Sequence, residues 1–105
     1  MPDIINCTGQ SRGSAAPIFP LTNVWCYPTA GDFALKLPPI DSNVTTAITV
    51  YNASTSNAAK VFPSGENTIT GSDATTGAQN IPLQSSHTFT PGAVGGSAGN
   101  IWTVT

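Results

Sequence analysis

The chain contains few residues of the types that perform catalysis or bind metal ions. His87 is its only histidine, and Cys7 and Cys26 are its only cysteines. A zinc site needs three or four such ligands, usually paired at close spacing as in CxxC. Neither cysteine has another within three residues, and His87 has no second histidine beside it. We therefore expect no metal site and no cofactor, with His87 as a packed or surface residue.

Acid–base chemistry is also poorly supported by the sequence. It requires two carboxylates held close together, whereas all five acidic residues fall in segments that we predict to be loops or turns. These are Asp3, Asp32, Asp41, Glu66 and Asp73. A serine nucleophile elbow would need the pattern GxSxG, and no such pattern surrounds Ser64. The sequence predicts no catalytic residue, and we expect that the protein is not an enzyme.

The charge content is low, with eight charged residues in 105 and a net charge of −2. Nucleic-acid binding depends on clustered Lys and Arg side chains. The three basic residues are Arg12, Lys36 and Lys60, and they are far apart in the sequence. We therefore expect no nucleic-acid partner, and a surface made mainly of Ser, Thr, Asn, Gln and Ala.

The start of the chain, Met-Pro-Asp-Ile-Ile-Asn, lacks the basic and apolar regions of a secretory signal, and no apolar segment reaches the length of a membrane-spanning helix. We expect a protein that is made in a cytoplasm and stays soluble, without a membrane partner. In that compartment cysteines are usually reduced. Free, buried thiols at Cys7 and Cys26 are therefore favoured over a disulfide, although the sequence leaves both alternatives open.

Residue preferences indicate an all-β fold. Thr, Ile and Val together number 29, whereas Leu, Glu, Gln, Lys, Arg and Met total 12, and 9 Pro and 10 Gly interrupt the chain. β-Branched residues favour strands, and no window shows the helical recurrence of apolar residues. We predict about eight short strands, which lie in the second half of 17–27 and in 33–37, 46–52, 58–62, 67–70, 81–83, 87–90 and 101–105.

Such spacing of short strands is typical of an antiparallel β-sandwich or jelly roll. We predict a single domain over residues 17–105. It is preceded by an N-terminal arm or edge strand and a loop over residues 1–16, because the small and polar stretch from Thr8 to Ala16 can bury little area.

The best candidates for a protein interface lie in the first quarter of the chain. In the strand that includes Val24 and Cys26, alternation places Trp25 and Tyr27 on the opposite face. Exposed aromatic residues of this kind anchor many interfaces. The apolar pair Ile4-Ile5 in the N-terminal arm completes the predicted contact set of Ile4, Ile5, Trp25 and Tyr27.

From Thr46 onward, about 60 residues resemble a sequence type found in structural proteins of tailed-phage virions. Its elements are Ile48-Thr49-Val50-Tyr51-Asn52, then Val61-Phe62-Pro63-Ser64-Gly65-Glu66-Asn67-Thr68-Ile69, and finally Ile81-Pro82-Leu83, Thr88-Phe89 and Trp102. Upstream, Pro20-Leu21-Thr22 and the run from Gly31 to Pro38 also look like this type. The resemblance implies a β-scaffold in a bacteriophage virion and brings no catalytic residue with it.

Within that class we expect a capsid decoration, or cement, protein that binds the outer capsid surface and stabilises contacts between major capsid protein subunits. The expected partners are the major capsid protein and further copies of the chain, most simply as a trimer, with assembly in the host bacterial cytoplasm. The alternative is a tail-fibre or baseplate module in which Trp25, Tyr27 or Trp102 stacks on a host carbohydrate.

Overall fold

A computed structural model describes residues 3–18, 22–38, 46–64, 67–69, 78–92 and 101–105. These segments contain one short 3₁₀ helix, Arg12–Ser14, and ten strands. The strands are β1 Asp3–Ile5, β2 Ala16–Pro17, β3 Asn23–Cys26, β4 Ala34–Lys36, β5 Ile48–Asn52, β6 Ala59–Phe62, β7 Thr68–Ile69, β8 Gln79–Ile81, β9 Ser86–Pro91 and β10 Ile101–Val104. The prediction of an all-β fold is confirmed.

The strands form two sheets. The six-stranded sheet has the order β1-β3-β5-β9-β10-β7, and the four-stranded sheet has the order β2-β4-β6-β8. Along the chain, β1 to β8 alternate between the two sheets, and only β9 and β10 are consecutive strands of the same sheet. The radius of gyration is 12.5 Å, close to the roughly 13 Å expected of a compact chain of this length.

The expectation of an antiparallel sandwich or jelly roll is wrong in its strand directions. Among the described strands, five of the eight pairings are parallel and three are antiparallel, so both sheets are mixed. The reason lies in the alternation between sheets. From β1 to β6, each time the chain crosses to the other sheet and returns it adds its next strand in the same direction as the last one, whereas β8 returns antiparallel to β6. Accordingly β1, β3 and β5 are parallel, as are β2, β4 and β6.

One hydrophobic core lies between the sheets. Val24, Val50 and Phe89 contribute from the six-stranded sheet, and Leu35 and Val61 from the four-stranded sheet. All of these side chains are fully buried. Ile48 and Val50 share one face of β5, as strand alternation requires, and both belong to this core. A shared core explains why the sheets hold together although most successive strands do not form hairpins.

The four-stranded sheet is also covered on its other face. Ala15, Ala34, Phe62 and Ala78 form a second, smaller cluster there. Ala34 and Leu35 are therefore both buried although they point to opposite faces of β4. Burial on both faces is typical of parallel strands in the interior of a sheet. A simple alternation of buried and exposed residues therefore does not hold along β4.

The end of β8 also differs from the prediction. We expected a strand over 81–83, but β8 ends at Ile81, and Leu83 and Gln84 form a turn. Pro82 cannot donate a hydrogen bond to a neighbouring strand. Gln84 has a φ of 52°, a left-handed conformation that closes the turn before β9 begins at Ser86.

A tight loop between β1 and β2 depends on Gly9. Its φ is +66°, its N–H donates to Asp32 Oδ1 at 2.8 Å, and its carbonyl accepts from the Phe33 N–H at 3.0 Å. A Cβ atom at this position would collide with the side chain of Ser14. The loop therefore requires glycine at position 9 both for its left-handed backbone conformation and for the close approach of the Ser14 side chain.

We expect Gly9→Ala to lower the free energy of unfolding by at least about 2 kcal/mol, because a left-handed conformation costs a non-glycine residue about 1–2 kcal/mol and the collision with Ser14 adds to that cost. Urea unfolding measures the loss. Gly13→Ala is the matched control, since a Cβ there meets nothing within 4 Å. Equal stabilities of the two variants would contradict this account of the loop.

Candidate docking surface

The largest exposed apolar feature of the described residues lies on the outer face of the six-stranded sheet, which points away from the core. Ile4 on β1 pairs with Trp25 on β3, and Trp25 pairs with Tyr51 on β5. Because the three strands run parallel in this register, the side chains form one row across the sheet. Their sequence neighbours Val24 and Val50 point into the core and are fully buried.

The exposed fractions show how open this row is. Ile4 is 66% exposed and Trp25 is 38% exposed, while Tyr51 is partly buried. The rings of Trp25 and Tyr51 pack against each other with centroids 5.1 Å apart and an interplanar angle of 51°. Contact with Tyr51 restricts the Trp25 ring, so a partner would meet a partly ordered aromatic surface.

Tyr27 extends the exposed area beyond the end of β3, with 43% of its surface exposed. The predicted outward placement of Trp25 and Tyr27, opposite Val24 and Cys26, is confirmed. We call Ile4, Trp25, Tyr27 and Tyr51 the apolar patch.

Two other residues named from the sequence lie elsewhere. Ile5 is partly buried and packs against the core, since it occupies the inward position of β1. Trp102 is fully buried in the core, so its suggested role in stacking on a carbohydrate is wrong. Residues 3–5 form an edge strand paired with β3, which is one of the two forms predicted for the start of the chain.

Apart from Ile101 on β10, the remaining outward-facing residues of the described strands of this sheet are polar and uncharged. Thr49 and Thr88 lie on adjacent strands with their hydroxyl oxygens 3.1 Å apart, and Thr90 lies opposite Thr103. Lys36 and Lys60 belong to the four-stranded sheet. A partner placed on the outer face would therefore desolvate hydroxyl and aromatic groups, and would bury no ionised side chain of these strands.

Apart from the pair Cys7 and Cys26, the residues whose types could perform chemistry lie apart from one another in the described part of the chain. There, no group of three His, Cys, Asp or Glu side chains is arranged to hold a metal ion. His87 is partly buried on β9 opposite Val50. Asp3 lies in β1 and not in a loop, whereas Asp32 has the predicted turn role, since its N–H donates to Thr29 Oγ1. Asp41, Glu66 and Asp73 lie outside the described residues.

The two cysteines are free and buried, as the compartment argument favoured. Cys26 donates to the carbonyl oxygen of Tyr51 at 3.5 Å. Interaction with the Cys26 side chain lowers the pKa of Cys7, and burial opposes that effect. The same interaction and burial raise the pKa of Cys26. Of the two thiols, Cys7 is therefore the one that ionises first.

Sequence reasoning missed Tyr51 as part of the exposed surface. Alternation does place it opposite Val50 on β5, so its outward direction was predictable. Its position beside Trp25 was not, because that depends on the parallel pairing of β3 with β5. The row exists only because strands from three separate parts of the chain align in register.

Comparison with known proteins finds no matching family model, no matching curated protein and no matching solved structure. Among the residues that the structure describes, no helix is long and apolar enough to cross a membrane.

Proposed function

We propose that the chain is a bacteriophage capsid decoration protein that binds the outer surface of the capsid through its apolar patch and stabilises contacts between major capsid subunits. Two observations support this proposal. The sequence from Thr46 onward resembles virion structural proteins, and Ile4, Trp25 and Tyr51 form a row on the outer face of the six-stranded sheet, where most other described strand residues are polar. The exposed row is the observation that carries the proposed mode of binding.

The composition of the apolar patch suits an interface anchor. Trp and Tyr are enriched among the residues that contribute most to binding energy, particularly where polar groups surround them. Here the hydroxyl groups of Thr49 and Thr88 lie on the same face. The aromatic rings supply apolar area, and the neutral polar residues around them can form hydrogen bonds without the cost of desolvating an ion pair.

The small size of the protein makes assembly energetically useful. The accessible surface of the chain is 5401 Å², and a standard interface covers about 800 Å² of each partner. One contact with a coat subunit would therefore cover about 15% of the surface, and two neighbours in the proposed trimer would cover about 30%. The fold has a thin core, so these contacts would add substantially to its stability.

Sedimentation with capsids tests the proposal. Shells assembled from the major capsid protein of the phage that carries the gene are mixed with the chain, and the bound fraction is measured across a concentration series. We expect Trp25→Ser and Ile4→Ser each to weaken binding about 30-fold, which corresponds to the loss of about 2 kcal/mol at an anchor residue. The thermal midpoints of both variants are measured first, to confirm that they are folded.

Thr90→Ala and Thr103→Ala serve as matched controls. They lie on the same outer face but at a distance from the apolar patch, on β9 and β10. We expect these variants to bind like the parent chain. If the parent chain fails to sediment with the shells, or if the Trp25 and Ile4 variants bind as well as it does, the proposal is wrong.

A second candidate function is carbohydrate binding by a tail-fibre or baseplate module. The adjacent rings of Trp25 and Tyr51 favour it, because aromatic rings beside polar groups can stack on sugars. Asn23 and Thr49 pair next to them on the same face. A glycan array tests this candidate. Binding that is lost in Trp25→Ala and retained in Thr103→Ala would support carbohydrate binding over capsid decoration.

A further inference from the structure

Cys7 and Cys26 lie together in the core, although they belong to different segments of the chain. Cys26 ends β3 and pairs with Ile5 of β1, and Cys7 follows Ile5 by two residues. Alternation places the Cys26 thiol on the inner face of β3, and Cys7 lies just beyond the end of β1. Both are members of the same core cluster, with Cys7 5% exposed and Cys26 fully buried. The Cys26 side chain is close enough to Cys7 to perturb its pKa.

We infer that Cys7 and Cys26 are a redox-sensitive pair that closes to an intramolecular disulfide on reaction with a small-molecule disulfide, and that this bond fastens β1 to β3. The structure has the pair in its reduced state. The inference concerns the stability of the edge strand and does not depend on the proposed function.

The chemistry is a pair of thiol–disulfide exchanges. The Cys7 thiolate attacks one sulfur of the small-molecule disulfide, which forms a mixed disulfide and releases one small thiolate. The Cys26 thiol then loses its proton and attacks Cys7 Sγ, which releases the second small thiolate. Two protein thiols are oxidised to one disulfide while one small disulfide is reduced to two thiols, so electrons and protons balance.

The order of attack follows from the environments of the two thiols. The thiolate is the reactive form, and the pKa of Cys7 is lowered by the Cys26 thiol whereas the pKa of Cys26 is raised. Cys7 also lies in the loop that follows β1, whereas Cys26 is on β3, which is flanked by β1 and β5. Local opening of the three-residue edge strand β1 would expose Cys7 first.

The position of the bond determines its effect. β1 is the edge strand of the six-stranded sheet and pairs there with β3 alone. It has only three residues, and it carries Ile4 of the apolar patch. A disulfide that closes the segment from residue 7 to residue 26 would reduce the conformational freedom of the unfolded chain and oppose fraying of β1. Oxidation would thereby fix the strand on which Ile4 is displayed.

The test is incubation of the folded, reduced chain with oxidised glutathione. We expect the protein mass to fall by two hydrogen atoms, with no glutathione retained and no dimer formed. The thermal midpoint should rise by about 10–20 °C, and dithiothreitol should reverse both changes. The rate of oxidation should increase with pH and reach its half-maximal value below the pKa of an ordinary thiol.

Single serine variants separate the two roles. Cys26→Ser keeps the attacking thiol but lacks the resolving one, so it should retain one glutathione. Cys7→Ser should react much more slowly, because only the buried Cys26 remains. Stable glutathione addition to the parent chain, disulfide-linked dimers, a thermal midpoint that falls on oxidation, or oxidation seen only after denaturation would each overturn the inference.

Discussion

Trp102→Ala is expected to lower the free energy of unfolding by about 4 kcal/mol, which is a large part of the stability of so small a domain. Trp102 is the largest of the fully buried side chains. It lies in the core shared by both sheets, on β10, which pairs with β9 on one side and with β7 on the other. Removing the ring would leave a cavity at the junction of these strands.

Urea unfolding followed by circular dichroism measures this effect. Trp25→Ala is the matched control, because the same side chain is removed from the exposed apolar patch. We expect it to cost about 1 kcal/mol in stability, while it weakens binding. Trp102→Ala would then mainly lower stability, whereas Trp25→Ala would mainly weaken binding. A Trp102→Ala protein as stable as Trp25→Ala would contradict the placement of Trp102 in the core.

Asn52→Asp is expected to have a comparable effect, a loss of about 3–5 kcal/mol at neutral pH. Asn52 is fully buried at the end of β5. Its Nδ2 donates to the carbonyl oxygens of Asn57 at 2.9 Å and Ile81 at 3.0 Å, and its Oδ1 accepts from the Ser54 N–H at 2.9 Å. A carboxylate cannot donate to either carbonyl oxygen.

The loss should depend on pH. Burial beside two carbonyl oxygens raises the pKa of the introduced carboxyl group in the folded state. The folded state then binds its proton more tightly than the unfolded state, whose pKa is about 3.9. The penalty should therefore be smallest below pH ~3.9 and increase as the pH rises through the higher folded-state pKa.

Unfolding curves at acidic and neutral pH measure this dependence. Asn80→Asp is the control, because Asn80 is exposed on β8, and we expect it to change stability by less than about 0.5 kcal/mol. If Asn52→Asp and Asn80→Asp behaved alike, the bridging role of Asn52 would be excluded.

Local pattern predicted most of the strand segments and the buried faces of several strands, but it missed β2 at Ala16–Pro17 and placed β8 two residues late. Ile48 and Val50 point inward as alternation requires, and Trp25 points outward. A strand shows the same alternation of buried and exposed residues whether the following strand in the sequence pairs with it or belongs to the other sheet. The loop between β5 and β6 has the small polar residues of a hairpin, yet it crosses between the sheets. Strand direction was therefore beyond what the sequence pattern contained.

The candidate site also depended on strand pairing, which the sequence pattern does not contain. Trp25 and Tyr27 could be assigned to the surface from their own strand, whereas the row of Ile4, Trp25 and Tyr51 depends on register between distant strands. Several residues within the phage-like pattern are structural. Asn52 joins β5 to β8 through hydrogen bonds, and Pro63 is fully buried. The residues of this pattern that the structure describes therefore serve mainly to stabilise the fold.

The most direct test of the proposed function is an electron cryomicroscopy map of intact virions of the phage that, under this proposal, carries the gene. We predict density for the chain on the outer surface of the capsid, with Ile4, Trp25 and Tyr51 facing a major capsid subunit. Density for the chain in the tail alone, or purified particles that lack the chain, would contradict the account.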